Sequence, residues 1–221
     1  MSIVLVGSTS GSCTLQEQAV AGNTTLTLPT VSGTILTTGS SGQVIPKAAL
    51  PTGSVLQVVT GSDATAYTLS ITGGSGGDVA GSSEFAITPT SSSSILLIQF
   101  FIPQIRINND VGGLRVRLFR SIGGGAYTRV TSVEGTSSGG NRQNALAGNY
   151  DRQGDGNRSS LWIGGTITDS PATTSSVGYK FYYGVGDSGS YTVYVNRTEN
   201  NTDATYTNAT KTHVTLMEIA A

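Results

Sequence analysis

The sequence is short of charge. Only 11% of its 221 residues are Asp, Glu, Lys or Arg, and twelve basic side chains set against thirteen acidic ones leave a net charge of −1. A nucleic-acid binder needs a basic face to displace counterions from phosphate, and this balance does not supply one. Cysteine is nearly missing as well. Cys13 stands alone, so no disulfide can form within the chain, and folding in a reducing compartment is compatible with it. A single histidine, His213, with that single Cys cannot assemble a usual zinc site. The opening MSIVLVGSTSGSC carries a short apolar run with no positive charge before it. It is too short for a secretory signal or a membrane span, and export by the usual route is not expected.

What is present is glycine, 30 residues of it, with Ser and Thr between β-branched and aromatic segments. That mixture disfavours helices and predicts an all-β chain. Residues 1–53 are almost uncharged, with Glu17 and Lys47 their only charged side chains, and their apolar residues recur in short pieces between Gly and Pro. In NTTLTLPTVSGTILTT each piece is too small to bury itself, because isolated two-stranded units are marginal in water. Residues 1–53 are therefore expected to form an extended arm held by a partner. Residues 54–221 are expected to form an antiparallel β-sandwich of the jelly-roll kind, with a core of its own.

Within the second region the alternation is strong. LRVRLFRS-IGGG-AYTRVTSV predicts a hairpin in which Leu114, Val116 and Leu118 share one face while Arg115 and Arg117 point away. YKFYYGV-GDSG-SYTVYVNR predicts a second hairpin, alternating at Tyr179, Phe181, Tyr183 and Val185 and again at Tyr191, Val193 and Val195. One strand breaks the rule. Residues 95–102, ILLIQFFI, are apolar on both faces apart from Gln99, whereas a strand of a monomeric sandwich normally shows water one face. Leu97 and Ile98 are the candidate subunit-interface pair, one facing the core and the other a second copy in a closed cyclic oligomer.

No residue set predicts catalysis. GDSG at 186–189 matches the core of the chymotrypsin-type nucleophile motif, but His213 lies downstream of Ser188 where that family places its base upstream, and the turn reads as hairpin chemistry. Asp151, Asp155 and Asn157 do not have the spacing of a calcium loop. Trp162 reads as core and His213 as a half-buried strand residue. No cofactor and no metal are expected.

The residues also carry a resemblance. AGNTTLTLPTVSGTILTT followed by AALPTGSVLQVV resembles the N-terminal segments of tailed-bacteriophage virion structural proteins, cyanophage ones among them. DSPATTSSVGYKFYYG, TVYVNRTENN and the terminal THVTLMEI resemble the β-rich head joined to such segments. The resemblance implies a homotrimeric short fibre or decoration protein of a virion assembled in the host cytoplasm, with an anchoring arm and an outward head. Leu26, Leu28, Ile35 and Leu36 are the expected docking residues, entering apolar sites of a capsid or tail protein during strand addition. Tyr150, Asp151, Arg152, Asp155, Asn157 and Arg158 are the candidate loop for a host-surface glycan or protein. A capsid cement protein is the alternative, favoured by the lack of a long shaft, and a lectin-like soluble trimer is a third reading. No nucleic-acid partner and no membrane insertion are expected.

Overall fold

Among the described residues, strands interrupted by Gly and Ser-Thr turns make up the secondary structure, apart from a 3-10 turn at Thr131–Val133. The computed structural model describes residues 2–6, 12–16, 50–74, 77–108, 113–137, 139–149, 160–200, 202, 204–205 and 207–221, and among these there is no α-helix. The chain divides into two compact units, Met1–Ile45 and Pro46–Ala221. In the first, β1 (Ser2–Val6) pairs antiparallel with β2 (Ser12–Gln16), Ser2 opposite Gln16 and Val6 opposite Ser12. The docking residues Leu26, Leu28, Ile35 and Leu36 lie outside the described residues.

The second unit is an antiparallel sandwich of two six-stranded sheets. One sheet runs β3 (Val55–Asp63), β14 (Thr212–Ile219), β7 (Ile95–Ile107), β13 (Ser190–Val195), β4 (Tyr67–Thr72), with β11 (Ser160–Asp169) on the other side of β7. The other runs β10 (Ala147–Asn149), β8 (Leu114–Ile122), β12 (Val177–Val185), β5 (Val79–Ala80). β6 (Phe85–Ile87) also pairs with β12, and β9 (Thr128–Arg129) with β8. We call them the β7 sheet and the β8 sheet.

Period-two alternation sends Leu96, Ile98, Phe100 and Ile102 of β7 inward against Val116 and Leu118 of β8 and Tyr179, Phe181 and Tyr183 of β12, all buried. Phe100 and Phe181 meet at 5.1 Å between ring centroids. After Ile102 the inward set resumes at Ile105 and Ile107, which is out of phase. The reset occurs where β11 shifts register on β7: Leu161 lies opposite Ile105 and Ile163 opposite Ile102. Pro103 sits in this interruption, where a residue without an N–H is tolerated inside a sheet.

Buried polar side chains stitch the layers. Glu218 is fully buried at the edge of the core, and its carboxylate accepts from Gln57 Nε2, Thr90 N, Thr90 Oγ1 and Ser94 Oγ, each at 2.7 Å. Burial alone pushes its pKa up, but these donors outweigh it and hold the group below its ordinary value. Asp63 is treated alike: burial opposes its charge, while the Ser83 and Thr65 amides and Tyr67 Oη donate to it and lower the pKa. Asp169, at the end of β11, accepts from Arg120 Nη1 at 2.8 Å and from Tyr179 Oη at 2.7 Å, fastening the β7 sheet to the β8 sheet. Asn196 takes a left-handed backbone, φ 60°, a conformation Asn tolerates better than most residues. Its amide donates to Asp63 O and Thr65 O and its side-chain oxygen accepts from Thr212 Oγ1, anchoring the start of β14.

The second predicted hairpin is corrected. β12 and β13 do not pair: β12 belongs to the β8 sheet and β13 to the β7 sheet. GDSG is therefore a crossing from one layer to the other. Both flanking strands keep their aromatic and β-branched faces toward one shared core, and a corner of a sandwich needs the same alternation as a hairpin. The first predicted hairpin does form, with its return strand cut to two residues, Phe119 opposite Arg129 and Arg120 opposite Thr128.

Candidate interaction face

Side chains of the β7 sheet that do not enter the core stand in rows across four strands. Val58, Met217, Leu97 and Thr168 form one row, next to Ile219 and Ile95 at the end of the sheet. Thr60, Thr215, Gln99 and Thr166 form the next, and Ser62, His213, Phe101 and Gly164 the third. These rows contain no Asp, Glu, Lys or Arg. Leu97, Met217, Ile95 and Ile219 are half-buried, and Val58 is 53% exposed.

The face has two ends of different chemistry. At the Leu97 end it is aliphatic. At the Phe101 end, about 13 Å further along β7 at the usual rise per residue, it is aromatic and polar. Phe101 is 43% exposed and Trp162 is 68% exposed, and their rings meet at 6.1 Å and 52°. Period-two alternation along β11 leaves Leu161 and Ile163 facing the core and Trp162, between them, outward, the phase change at the register shift being taken up by β7. Gly164 makes room for Phe101: a Cβ there would come within 3.0 Å of the Phe101 ring and 3.1 Å of Phe100 O. Beside the Phe101 ring lies a depression of about 370 Å³, lined by Phe101, Gln99, Thr166, His213 and Thr215 among others; Trp162 is not part of this lining and adjoins it through its ring contact with Phe101.

The pair Leu97 and Ile98 is split by the pleat. Ile98 is wholly inside the sandwich, and Leu97 belongs to the outer row. Two expectations are corrected here. Trp162 is not core, because the edge strand β11 presents it to solvent, and His213 is exposed rather than half-buried. The Trp sits in an apolar run, SLWIGG, in which either alternate set could face the core, while His213 stands between the inward Thr212 and Val214 and is outward by alternation. The loop residues Tyr150, Asp151, Arg152, Asp155, Asn157 and Arg158 lie outside the described residues.

The outer face of the β8 sheet is built differently. Arg115 and Arg117 do point away from the core, as their alternation predicts, but they are buried, with Asp78 bridging them: Arg115 Nε donates at 2.9 Å and Arg117 Nη1 at 2.6 Å. Arg115 Nη1 also donates to Val185 O, and Arg117 Nε to Asn144 O. Arg129 and Glu134 form an adjoining pair. Further along, Phe119 stacks on Tyr182 at 4.0 Å and Lys180 Nζ lies 4.9 Å from the Tyr127 ring, whose hydroxyl donates to Glu84. Among the described residues, no group of three or more His, Cys, Asp or Glu is placed to hold a metal ion.

No family model matches the chain, and no curated protein matches it. Among solved structures it is similar to those of infectious bursal disease virus. For the Gx strain the identity is 14% and the TM-score 0.32, over 75% of this chain and 38% of that one. For the Gt strain they are 13% and 0.36, over 74% and 42%. For the VP2 subviral particle of that virus they are 16% and 0.31, over 74% and 41%. The chain thus spans about two fifths of the length of the chains it matches.

Proposed function

We propose that this chain is a non-enzymatic structural protein of a tailed-bacteriophage virion, a short trimeric fibre whose residues 1–53 dock on a capsid or tail protein and whose sandwich faces outward to the host surface. The observation that carries the reading is the aliphatic end of the β7 sheet. Ile95, Leu97, Met217, Ile219 and Val58 form an uncharged strip on the outside of a sandwich whose core is already filled. Such a strip is suited to burial against copies of the same chain. The resemblance of the arm and of the C-terminal strands to phage virion proteins names the setting, and strand addition by the arm requires no more of its side chains than Thr, Ser and a few Leu and Ile supply.

The test is assembly. The cut belongs after residue 45, because Gly53 N donates to Ala220 O at 2.7 Å and Ala220 N to Ser54 O at 2.9 Å within the second unit. The chain from residue 46 onward is expected to be a soluble β-rich trimer that no longer adds to particles lacking the native protein. Leu26→Asp with Leu28→Asp is expected to weaken incorporation while leaving the sandwich folded. A truncated chain that still decorates particles overturns the docking role of the arm. Copy number per particle separates the fibre from the capsid cement reading: a few to a few tens of copies support the fibre, and hundreds support cement.

A further inference from the structure

At the Phe101 end of the outer β7 face, we infer that the depression lined by Phe101, together with the Trp162 ring that meets Phe101 at its rim, is a binding site for an uncharged carbohydrate. The inference rests on the fibre reading for its biological sense and on the structure for its place. It moves the recognition surface from the 150–158 loop to the sheet itself.

Three features point to a sugar. The first is the exposed aromatic pair. Trp162 is the only tryptophan of the chain, and it stands in solvent at 68% exposure on an edge strand, against a half-exposed Phe101. A pyranose ring presents a patch of C–H groups that lies well on such rings, whereas a large aromatic left open to water gains nothing from the exposure. The second is the ring of neutral hydrogen-bonding groups. Gln99 supplies an amide donor and acceptor, Thr166 and Thr215 supply hydroxyls, and His213 supplies ring nitrogens, all around one depression. Hydroxyl groups that both donate and accept match this set, and a concave site that mixes apolar surface with a few convergent polar groups is the usual form of a small-ligand site. The third is what is missing from the lining: no Asp, Glu, Lys or Arg. Arg106, which pairs with the start of β11, is engaged with Glu199 at 3.1 Å. A phosphate or a sulfated sugar would want an arginine or lysine here.

The aliphatic strip and the depression also divide the face between two tasks. Leu97 and its row can be covered by a second copy while the Gln99 and Phe101 rows, further along β7, stay open at the rim of the oligomer. Gly164, on the outward set of β11, keeps that side of the depression low, so a ring can approach the backbone.

The single tryptophan makes the test direct. The full chain is titrated with maltose, cellobiose, lactose and chitobiose while Trp162 emission is followed, and a printed array of neutral bacterial and algal oligosaccharides is probed in parallel. A saturable shift of emission with at least one of these sugars is expected. Trp162→Ala is expected to abolish array binding, Trp162→Phe to retain part of it, and Thr166→Val with Thr215→Val to weaken it at least tenfold while the circular dichroism spectrum stays unchanged. The inference is overturned if no sugar shifts the emission at tens of millimolar and the array is blank, or if array binding survives Trp162→Ala. It is equally overturned if emission is already blue-shifted without sugar and reddens on dilution, because a second copy then covers the ring. Incorporation of the Trp162→Ala chain into particles keeps the two readings apart: unchanged incorporation with lost sugar binding supports both. Unchanged incorporation with unchanged sugar binding removes the site and leaves the virion reading standing.

Discussion

The two outer faces of the sandwich solve the same problem in opposite ways. On the β8 sheet, alternation turns Arg115 and Arg117 outward, and the protein then covers them with the Asp78 segment and the loop around Asn144. On the β7 sheet, the outward positions from Ile95 to Phe101 carry no charge, and among the described residues no loop covers them. Charged side chains are usually what keeps an outer face in water, so the inversion is informative. Buried guanidinium groups with a shared carboxylate are costly to desolvate and contribute fixed geometry rather than large net stability. An uncharged apolar outer face of this kind is suited to contacts with other molecules.

The contrast is most easily broken at Asp78. Asp78→Ala leaves two guanidinium groups in a site whose side chains are only 6–7% exposed, and a loss of about 3–5 kcal/mol is expected in urea unfolding. Replacing Asp78, Arg115 and Arg117 together by apolar residues of similar volume should cost far less. A mild effect of the single variant would mean that water reaches the cluster and that the β8 face is open after all. Next in size is the pair on β7. Ile98→Ala removes a fully buried side chain and should cost about 3 kcal/mol with the oligomeric mass unchanged. Leu97→Asp should leave the sandwich folded and lower the mass by light scattering, and an unchanged mass would end the role of the aliphatic strip in self-association.

Glu218→Gln is expected to cost about 1–3 kcal/mol, since it removes a charged acceptor from four donors. Its pH dependence has a definite sign. Asp63 and Glu218 are held below their ordinary values of 3.8 and 4.5. Their contribution is therefore complete above about pH 4.5 and is lost as pH falls through the lowered values. The acid limb of the stability curve should flatten in the Gln variant, and a limb that keeps its slope would remove Glu218 as a cause. The smallest effect is expected at Ser188→Ala, within about 0.5 kcal/mol. Ser188 lies in the crossing between β12 and β13, where its amide is bonded to Asp187 Oδ1 and its carbonyl accepts from Tyr191 Oη.

Much of the fold was legible because period-two alternation is a local property. Leu114, Val116 and Leu118, the β12 and β13 faces, and the split between Leu97 and Ile98 can each be read from neighbours in the chain. What a strand pairs with is not local. The alternation on either side of GDSG is the same for a hairpin and for a change of layer, and only the positions of β8 and β7 decide between them. The site was less legible still. Trp162 points outward because β11 alternates, with Leu161 and Ile163 inward and Trp162 and Gly164 outward, and within SLWIGG, apolar in both sets, the alternation alone does not say which set meets the core. The burial of Arg115 and Arg117 depends on Asp78 and Asn144, which lie far from them in sequence.

The place of β14 between β3 and β7 has a kinetic consequence. Gln57 and Glu218 meet across 161 residues, and every pair that β14 makes with β3 closes a loop of comparable length. Until that loop closes, the inner edge of β3 lacks the strand that flanks it in the finished sheet, and neither residues 55–62 of β3, before its terminal Asp63, nor the Ile95–Phe101 half of β7 carries a charge or proline to discourage stray partners. Such non-local topologies fold slowly. Refolding yield should therefore fall steeply with protein concentration, and conditions that hasten the arrival of β14 should raise it more than conditions that merely stabilise the native sandwich.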